Sequence, residues 1–542
     1  MTASDSPRIT GERYRSRRSV VLGTRGVVAA SQPLAAQAGL RILMAGGSAA
    51  DAAVATAAVL NVVEPMSTGI GGDMFALVYD AKQRQVTALN GSGRAPQAIS
   101  LAAFQQRGLE KIPLLGILPV TVPGAVDGWL SLLGRHGRLP LSEILAPAIE
   151  YAERGFPVSE IIARGWQMST EKLRSNAAAT STYLVGGRAP RAGEIASNPN
   201  LGQSLRLIAE GGREAFYHGP IAEAIVATSE REGGFLSMAD FAAHHSTWDT
   251  PISTNYRGYT IYECPPNGHG LTTLLALNIL NGFDLPSLSP GSPEALHLQI
   301  EAMRLAFADA ATYIADPAHA DVPTEFLLSE AHTQARRGLI RTDRALDHVV
   351  PGSLPGGHDT VYLSVVDAEG NAVSFINSLY YGFGSGVVAG DTGICLQNRG
   401  AGFVLDPQHR NCLAPGKRPY HTIIPGMILR DDALWSSFGV MGGFMQPQGH
   451  MQMVVNMIDF GMNPQESLDA PRFELLDPYV DQSSVAFEHD PAIGQALAAL
   501  GHQVVESPRV GGFGGGQIIV VDQHGVRHAG SDPRKDGAAV AY

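Results

Sequence analysis

Thr360 sits where two kinds of sequence meet. Before it runs Pro355, Gly356, Gly357, His358 and Asp359, a loop composition. From Thr360 the segment TVYLSVVD alternates as a strand does, with Val361, Leu363 and Val365 on one face and Thr360, Tyr362 and Ser364 on the other. A threonine hydroxyl is a poor nucleophile unless a base removes its proton. If the bond between Asp359 and Thr360 is broken, the α-amine of Thr360 becomes that base, with an unperturbed pKa close to neutrality. A loop that can be cut, followed by a strand that holds the attacking group rigid, suits this chemistry. Threonine at the head of a strand is also ordinary, so these residues alone leave both readings open.

Other chemistries find less support. There is no G-x-S-x-G elbow, no G-x-x-x-x-G-K-[ST] phosphate loop, and no G-x-G-x-x-G between a strand and a helix. The glycine-dense RVGGFGGGQIIV leads into a strand, where backbone freedom is the simpler role. His297 and Glu301 are four apart and could share a metal, but without H-E-x-x-H they read as the polar face of an amphipathic helix. His269, His421 and His450 stand alone. No cofactor and no catalytic metal are expected.

The elements that must position Thr360 can be read in outline. Ser48 and Asp51 form an S-x-x-D capping box before an Ala-rich helix that Pro65 ends. DMFALVYD and QVTALNG read as strands, the second running into a turn that presents Ser92 and Arg94. Leu296, Ile300, Met303, Phe307, Ala310 and Ile314 recur at helical spacing. After Thr360 come hairpins, TVYLSVVD with AVSFINS and MILRDDALWSSFGV, then the helix around HMQMVVNMIDFG and the strands of GGGQIIVVDQHGVRHAGS. Helices and antiparallel hairpins in separate runs indicate an α+β layered fold. Residues 1–20 read as a loose arm, and about 318–359 as a flexible surface linker rich in Gly, Pro and His.

Bulk properties agree with a folded, globular chain. In 542 residues, 44% are hydrophobic and 17% charged, enough to bury an extensive core. A formal net charge of −12 argues against nucleic-acid partners. Three scattered cysteines, Cys264, Cys395 and Cys412, fit a reducing compartment. SRRSVVLGTRG lacks the apolar run of an export signal, and no apolar stretch spans a bilayer, so a cytoplasmic location away from membranes is expected.

Several separated blocks in a fixed order resemble the γ-glutamyltranspeptidase family of N-terminal nucleophile hydrolases. They include EPMSTGIGGDMF, TVPGAVDGW, APAIEYAERGF, DTVYLSVVDAEGNAVS, FGSGVVAGDTGICLQN, PGKRP, MGG and GSDPRKDGAAVAY. The resemblance implies a four-layer αββα sandwich and a precursor that cuts itself between Asp359 and Thr360. Residues 1–359 would then be a large subunit and 360–542 a small one, forming a heterodimer able to pair again. It further implies that Thr360 is the nucleophile, that Ser378 holds the place of a second threonine contacting it, and that Gly442 and Gly443 donate backbone N–H groups to an oxyanion. From the residues alone, Ser378 reads equally as a hairpin hydroxyl and Gly442-Gly443 as a turn.

The specificity positions depart from the family pattern. Where an Asn, a Gln and an Asp would hold a substrate α-ammonium, this sequence has Tyr380, Arg399 and Gly402. His421 and Thr422 replace a Ser-Ser pair, and Ser92 replaces the usual arginine, with Arg94 two residues on. A pocket with Arg94 and Arg399 and no acidic partner favours a plain anion over a zwitterion. The stretches NSLYYGFGSG, QNRGAGF, YHTIIP and MGGFMQPQGH resemble the family's oxamate amidohydrolase-like branch, and this resemblance implies a self-processing hydrolase of a small acidic, oxamate-like amide. A glutathione hydrolase or γ-glutamyl transferase with a rebuilt pocket is the alternative, and an unprocessed, non-catalytic homologue is another. For Arg399, a surface or interface charge is the competing reading.

Overall fold

In the computed structural model, residues 18–349, 359–506 and 512–542 are described. The capping box forms as its sequence requires. Ser48 caps the helix Ala49–Val63, and Asp51 returns a bond to the Ser48 N–H at 2.8 Å. Asp51 also accepts from the N–H groups of Arg138 and Leu139, so this buried carboxylate is saturated with donors and fastens two helical segments together.

Two seven-stranded sheets lie face to face. One runs in the order Val21–Gly23, Arg527–Ser531, Gly515–Val521, Ala433–Met441, Gly426–Arg430, Tyr259–Glu263, Ile252–Tyr256. The other runs Ala538–Ala541, Val27–Ala30, Asp359–Val366, Ala372–Tyr380, Asp73–Asp80, Gln85–Gly91, Thr247–Asp249. Between them Phe75, Leu77 and Tyr362 from the second sheet share one core with Met427, Ile519 and Cys264 from the first. The outer face of the second sheet, with Val361, Leu363 and Val365, packs on helices including Ala49–Val63. The outer face of the first, with Ile428, Phe438 and Ile518, packs on Gly270–Leu280, Pro293–Tyr313 and Met445–Ile458. The result is an α+β fold in four layers, αββα, and the alternation read from TVYLSVVD places Thr360, Tyr362 and Ser364 on the inner side.

This packing needs a small residue at one point. A Cβ on Gly439 would lie 2.5 Å from the Tyr362 ring, whose hydroxyl is 2.7 Å from Ser374 Oγ. Glycine there lets Asp359–Val366 lie close against Ala433–Met441.

Two expectations are corrected. The helix Pro293–Tyr313 is buried on every side from Ala295 to Ala311, so His297 and Glu301 are not on a solvated face. His297 donates to Arg341 O at 2.6 Å and meets His502 at 2.8 Å, while Glu301 binds Arg304 and the Leu346 N–H. What covers them is chain distant in sequence, which periodicity cannot register. That same chain is the described part of the expected linker. Residues 324–337 hold two short helices, and Leu327, Thr333 and Val349 are buried. The remainder, 350–358, and most of the expected N-terminal arm, 1–17, lie outside the described residues. Among the described residues no helix is long and apolar enough to cross a membrane, and all three cysteines are free thiols.

Burial pushes His269, His450 and His502 down from the ordinary 6.5 to about 3. For His450 the same burial raises its partner Glu263, 2.7 Å away, so both members are driven toward neutrality. Because the folded values are depressed, the unfolded chain takes up protons that the fold refuses once pH drops below about 6.5. His269 and His502 each contribute up to about 1.4 kcal/mol per pH unit, while at His450 the effect is offset by Glu263, which keeps in the fold a proton that the unfolded carboxylate gives up. The unfolding midpoint should therefore fall steadily from pH 6.5 to 4 in a thermal melt; a flat profile would show these imidazoles to be solvated. Gly439→Ala should cost about 1–3 kcal/mol by overpacking against Tyr362. In contrast Gly134→Ala, in a helix with open space around it, should be neutral or stabilising by about 0.5–1 kcal/mol. Denaturant titration of both variants checks the pair, and equal effects would contradict the close approach.

Candidate active site

The site begins as a hairpin irregularity. Asp359–Val366 pairs with Ala372–Tyr380, Val361 opposite Asn377 but Asp359 opposite Tyr380, so the register slips at Thr360. Ser378 and Leu379 together oppose Thr360, a bulge at the mouth of the hairpin. It leaves Thr360 Oγ1 3.1 Å from Ser378 Oγ, both side chains buried. Tyr380, next along the strand, has φ +83°, a left-handed conformation unusual for an aromatic residue. Its ring covers the Arg399 guanidinium at 4.2 Å.

Arg399 comes from a short 3-10 turn, Arg399–Gly402, seated where the Gly400 N–H donates to Pro119 O at 2.8 Å. It is completely buried, so the alternative of a surface charge is set aside. Nη2 donates to Ser378 Oγ at 3.0 Å and Nη1 to Thr422 Oγ1 at 2.8 Å, while Nε has no partner among the described residues. Burial lowers its pKa to about 10, which still leaves it charged at neutral pH. Thr360, Ser378, Tyr380, Arg399 and Thr422 therefore form one contiguous group.

His421 joins them through a residue the sequence reading passed over. Asp73 heads its strand directly opposite Ser378 and is fully buried. Its carboxylate accepts from Gly93 N–H at 2.9 Å, Gln397 Nε2 at 3.1 Å and His421 Nε2 at 2.9 Å. Burial, reinforced by the nearby Arg399, lowers His421 to about 4, so its imidazole is neutral and gives its proton to Asp73. The expectation of a pocket without an acidic group is thus corrected: Asp73 lies within electrostatic reach of Arg399. The signal was present in GIGGDMF, a charge at the head of an otherwise apolar strand, which burial makes costly unless it has a task.

Arg94 is not part of this group. It is half-buried and donates to His245 O at 3.2 Å, the carbonyl that Arg418 also uses. The expectation was of one pocket holding both Arg94 and Arg399; among the described residues the two make no contact, and the turn after Gln85–Gly91 takes Arg94 to His245.

Gly442 and Gly443 follow Ala433–Met441 with φ of +126° and +60°, values a side chain would strain. Their carbonyls accept from Met445 and Gln446 as the next helix begins, whereas their own N–H groups meet no acceptor among the described residues. Across the sandwich Ser364 Oγ touches Ser437 O at 3.3 Å, and Tyr362 lies on Gly439. Two residues further in each direction, this row runs from Thr360 toward Met441 and Gly442. Among the described residues no cluster of three His, Cys, Asp or Glu could hold a metal ion.

Comparison with known proteins places this geometry. The gamma-glutamyltranspeptidase family profile matches residues 35–542. A glutathione hydrolase-like YwrD proenzyme from Bacillus subtilis (strain 168) is 41% identical, covering 96% of this chain and 99% of the relative. An oxamate amidohydrolase proenzyme from Klebsiella pneumoniae is 37% identical over the same shares, 96% and 99%. The crystal structure of a cephalosporin acylase from Bacillus halodurans superposes with a TM-score of 0.92 at 45% identity, covering 100% of this chain and 99% of that one. With family profile, relatives and fold in agreement over nearly its full length, the chain belongs to the gamma-glutamyltranspeptidase family.

Proposed function

We propose that this protein is a self-processing amide hydrolase in which Thr360 attacks a small carboxylate-bearing amide. The precursor is cut between Asp359 and Thr360, giving a large subunit of residues 1–359 and a small subunit of 360–542. The freed α-amine takes the Oγ1 proton, and Oγ1 adds to the substrate carbonyl. The N–H groups of Gly442 and Gly443 stabilise the oxyanion. Collapse expels the amine, or ammonia from a primary amide, and water then hydrolyses the acyl ester.

One observation carries the substrate class: a buried guanidinium, Arg399, stands one hydrogen bond from the Ser378 hydroxyl that touches Thr360. A cation held so close to the reacting carbonyl favours a substrate whose carboxylate is adjacent to its amide. Arg399 keeps one donor, Nε, free of described partners, and Tyr380, His421 and Thr422 shape the space around it. The relative named as an oxamate amidohydrolase supports this choice. Asp73 favours a second reading, a zwitterionic γ-glutamyl substrate, in keeping with relatives named as glutathione hydrolases.

Gel electrophoresis of purified protein should show two chains, and Thr360→Ala should remain a single full-length band with turnover reduced at least about 1,000-fold. A Thr360→Ala sample that still splits at the same bond would remove self-processing. With processed protein, ammonia release from oxamate should exceed glutamate release from glutathione. The opposite order would transfer the assignment to the γ-glutamyl reading.

A further inference from the structure

Accepting Thr360 as the nucleophile, the amine freed by a cut before it would emerge between two charged side chains, Glu64 and Lys535. Glu64 caps the C-terminal end of Ala49–Val63 and is buried. Its Oε2 accepts from Ser31 Oγ at 2.6 Å and its Oε1 from Ser67 Oγ at 3.1 Å. Each partner leads back to one flank of the strand Asp359–Val366. On one flank Ala30 is paired with Leu363, so Ser31 follows beside Tyr362. On the other, Ser67 O accepts from the N–H of Leu379, one of the two residues opposite Thr360. Glu64 therefore bridges the two flanks at the end of the strand that carries Thr360. A carboxylate has about four lone-pair sites, and the serines leave acceptor capacity on both oxygens.

Lys535 reaches the same end from the opposite sheet. Gly515 is paired with Met441 and shares its inward face. A Cβ on Gly515 would lie 2.5 Å from Lys535 Cγ, and one on Gly442 would lie 3.1 Å from Gly514 Cα. The lysine stem thus enters between the sheets at the level of Met441, the level toward which Thr360 faces. Its ammonium lies within electrostatic reach of Glu64: burial raises the Glu64 carboxyl, and Lys535 opposes that rise.

We propose that Glu64 and Lys535 are positioning residues for the α-amine of processed Thr360. The Glu64 carboxylate accepts from an amine N–H and fixes the nitrogen at the strand end. The Lys535 ammonium opposes a second positive charge nearby and so keeps the amine in its unprotonated form, the one able to act as base. As the Oγ1–H bond breaks, its proton passes to the amine, the Oγ1–carbon bond forms and the carbonyl π pair moves to oxygen. Glu64 then faces an ammonium, which its charge stabilises, and on collapse that ammonium returns the proton to the departing nitrogen. Glu64 and Lys535 keep their own protonation states throughout. The other charges around this end are Asp536, which accepts from Ser159 Oγ, and Arg399 and Asp73 with neutral His421 on the Ser378 side. Asp532 and Arg534, on the lysine's own turn, are bound to each other and to Arg472 and Glu488.

Opposite charges must move the amine's titration in opposite directions, which a merely structural role would not do. The amine is titrated directly, by competitive acetylation of processed protein with acetic anhydride across pH and mass spectrometry of the peptide that begins at Thr360, beside the kcat profile on oxamate. Lys535→Met, which keeps a stem on Gly515, should raise the amine's midpoint by at least about 0.5 pH unit. Glu64→Gln, which can still accept from both serines, should lower it by at least about 0.5 pH unit. Lys535→Arg should leave it near that of the parent. Absent shifts, or shifts of one sign, would overturn the proposal. So would a folded Lys535→Met or Glu64→Gln precursor that stays uncut, since before the cut there is no amine for either side chain to act on. Should Glu64→Gln fail to fold, the two variants at half-buried Lys535 decide the matter alone. An amine that shifts as expected while the acid limb of kcat stays in place would support the action of the pair and remove the amine as catalytic base, so the two readings fail separately.

Discussion

One hairpin mouth organises the site. The slip in register between Asp359–Val366 and Ala372–Tyr380 sets Thr360 beside Ser378, and it leaves Tyr380 in a left-handed conformation over Arg399. Remove the bulge and three things change together: the hydroxyl pair, the donors into Ser378, and the cover of the guanidinium. Such strain is tolerated because both strands are clamped between apolar layers, with Val361 and Leu363 facing the helices and Tyr362 facing the opposite sheet. The two sheets therefore supply rigidity to a junction that would be mobile in an isolated hairpin.

The electrostatics follow from burial more than from contact. Arg399 and Asp73 are both fully buried, and between them stand neutral groups, His421 and the hydroxyls of Ser378 and Thr422. Either charge alone would be expensive in so dry a setting. Together they place opposite charges on the two sides of this neutral group, so each lessens the cost of burying the other. The Arg399 guanidinium puts the positive end one hydrogen bond from Ser378, while Asp73 sits behind the His421 imidazole.

The sequence was informative wherever the cause was local. The capping box at Ser48, the alternation of TVYLSVVD and the hairpins after it all appear as read, since a strand's two faces and a helix's first turn are written in adjacent residues. Thr360, Ser378 and Thr422 were nameable from motifs. What escaped depended on distant chain. His297 and Glu301 looked like a wet helix face until residues 341–346 and His502 covered them. Arg94 lay two residues from an important position, but its turn directs it to His245. Asp73 was hidden in a glycine-rich block whose value lies in its cross-strand neighbour Ser378, a relation only register reveals.

The order of strands has a further consequence. Val27–Ala30 is hydrogen-bonded on one side to Ala538–Ala541 and on the other to Asp359–Val366, and the Ala372–Tyr380 strand sits beside Asp73–Asp80. Sequence segments from either side of position 360 thus interleave within a single sheet. Neither half could fold separately and dock later, since each would present long unpaired edges of the kind that aggregate. Were the chain cut before Thr360, folding would have to come first, and the severed protein would still unfold as one body.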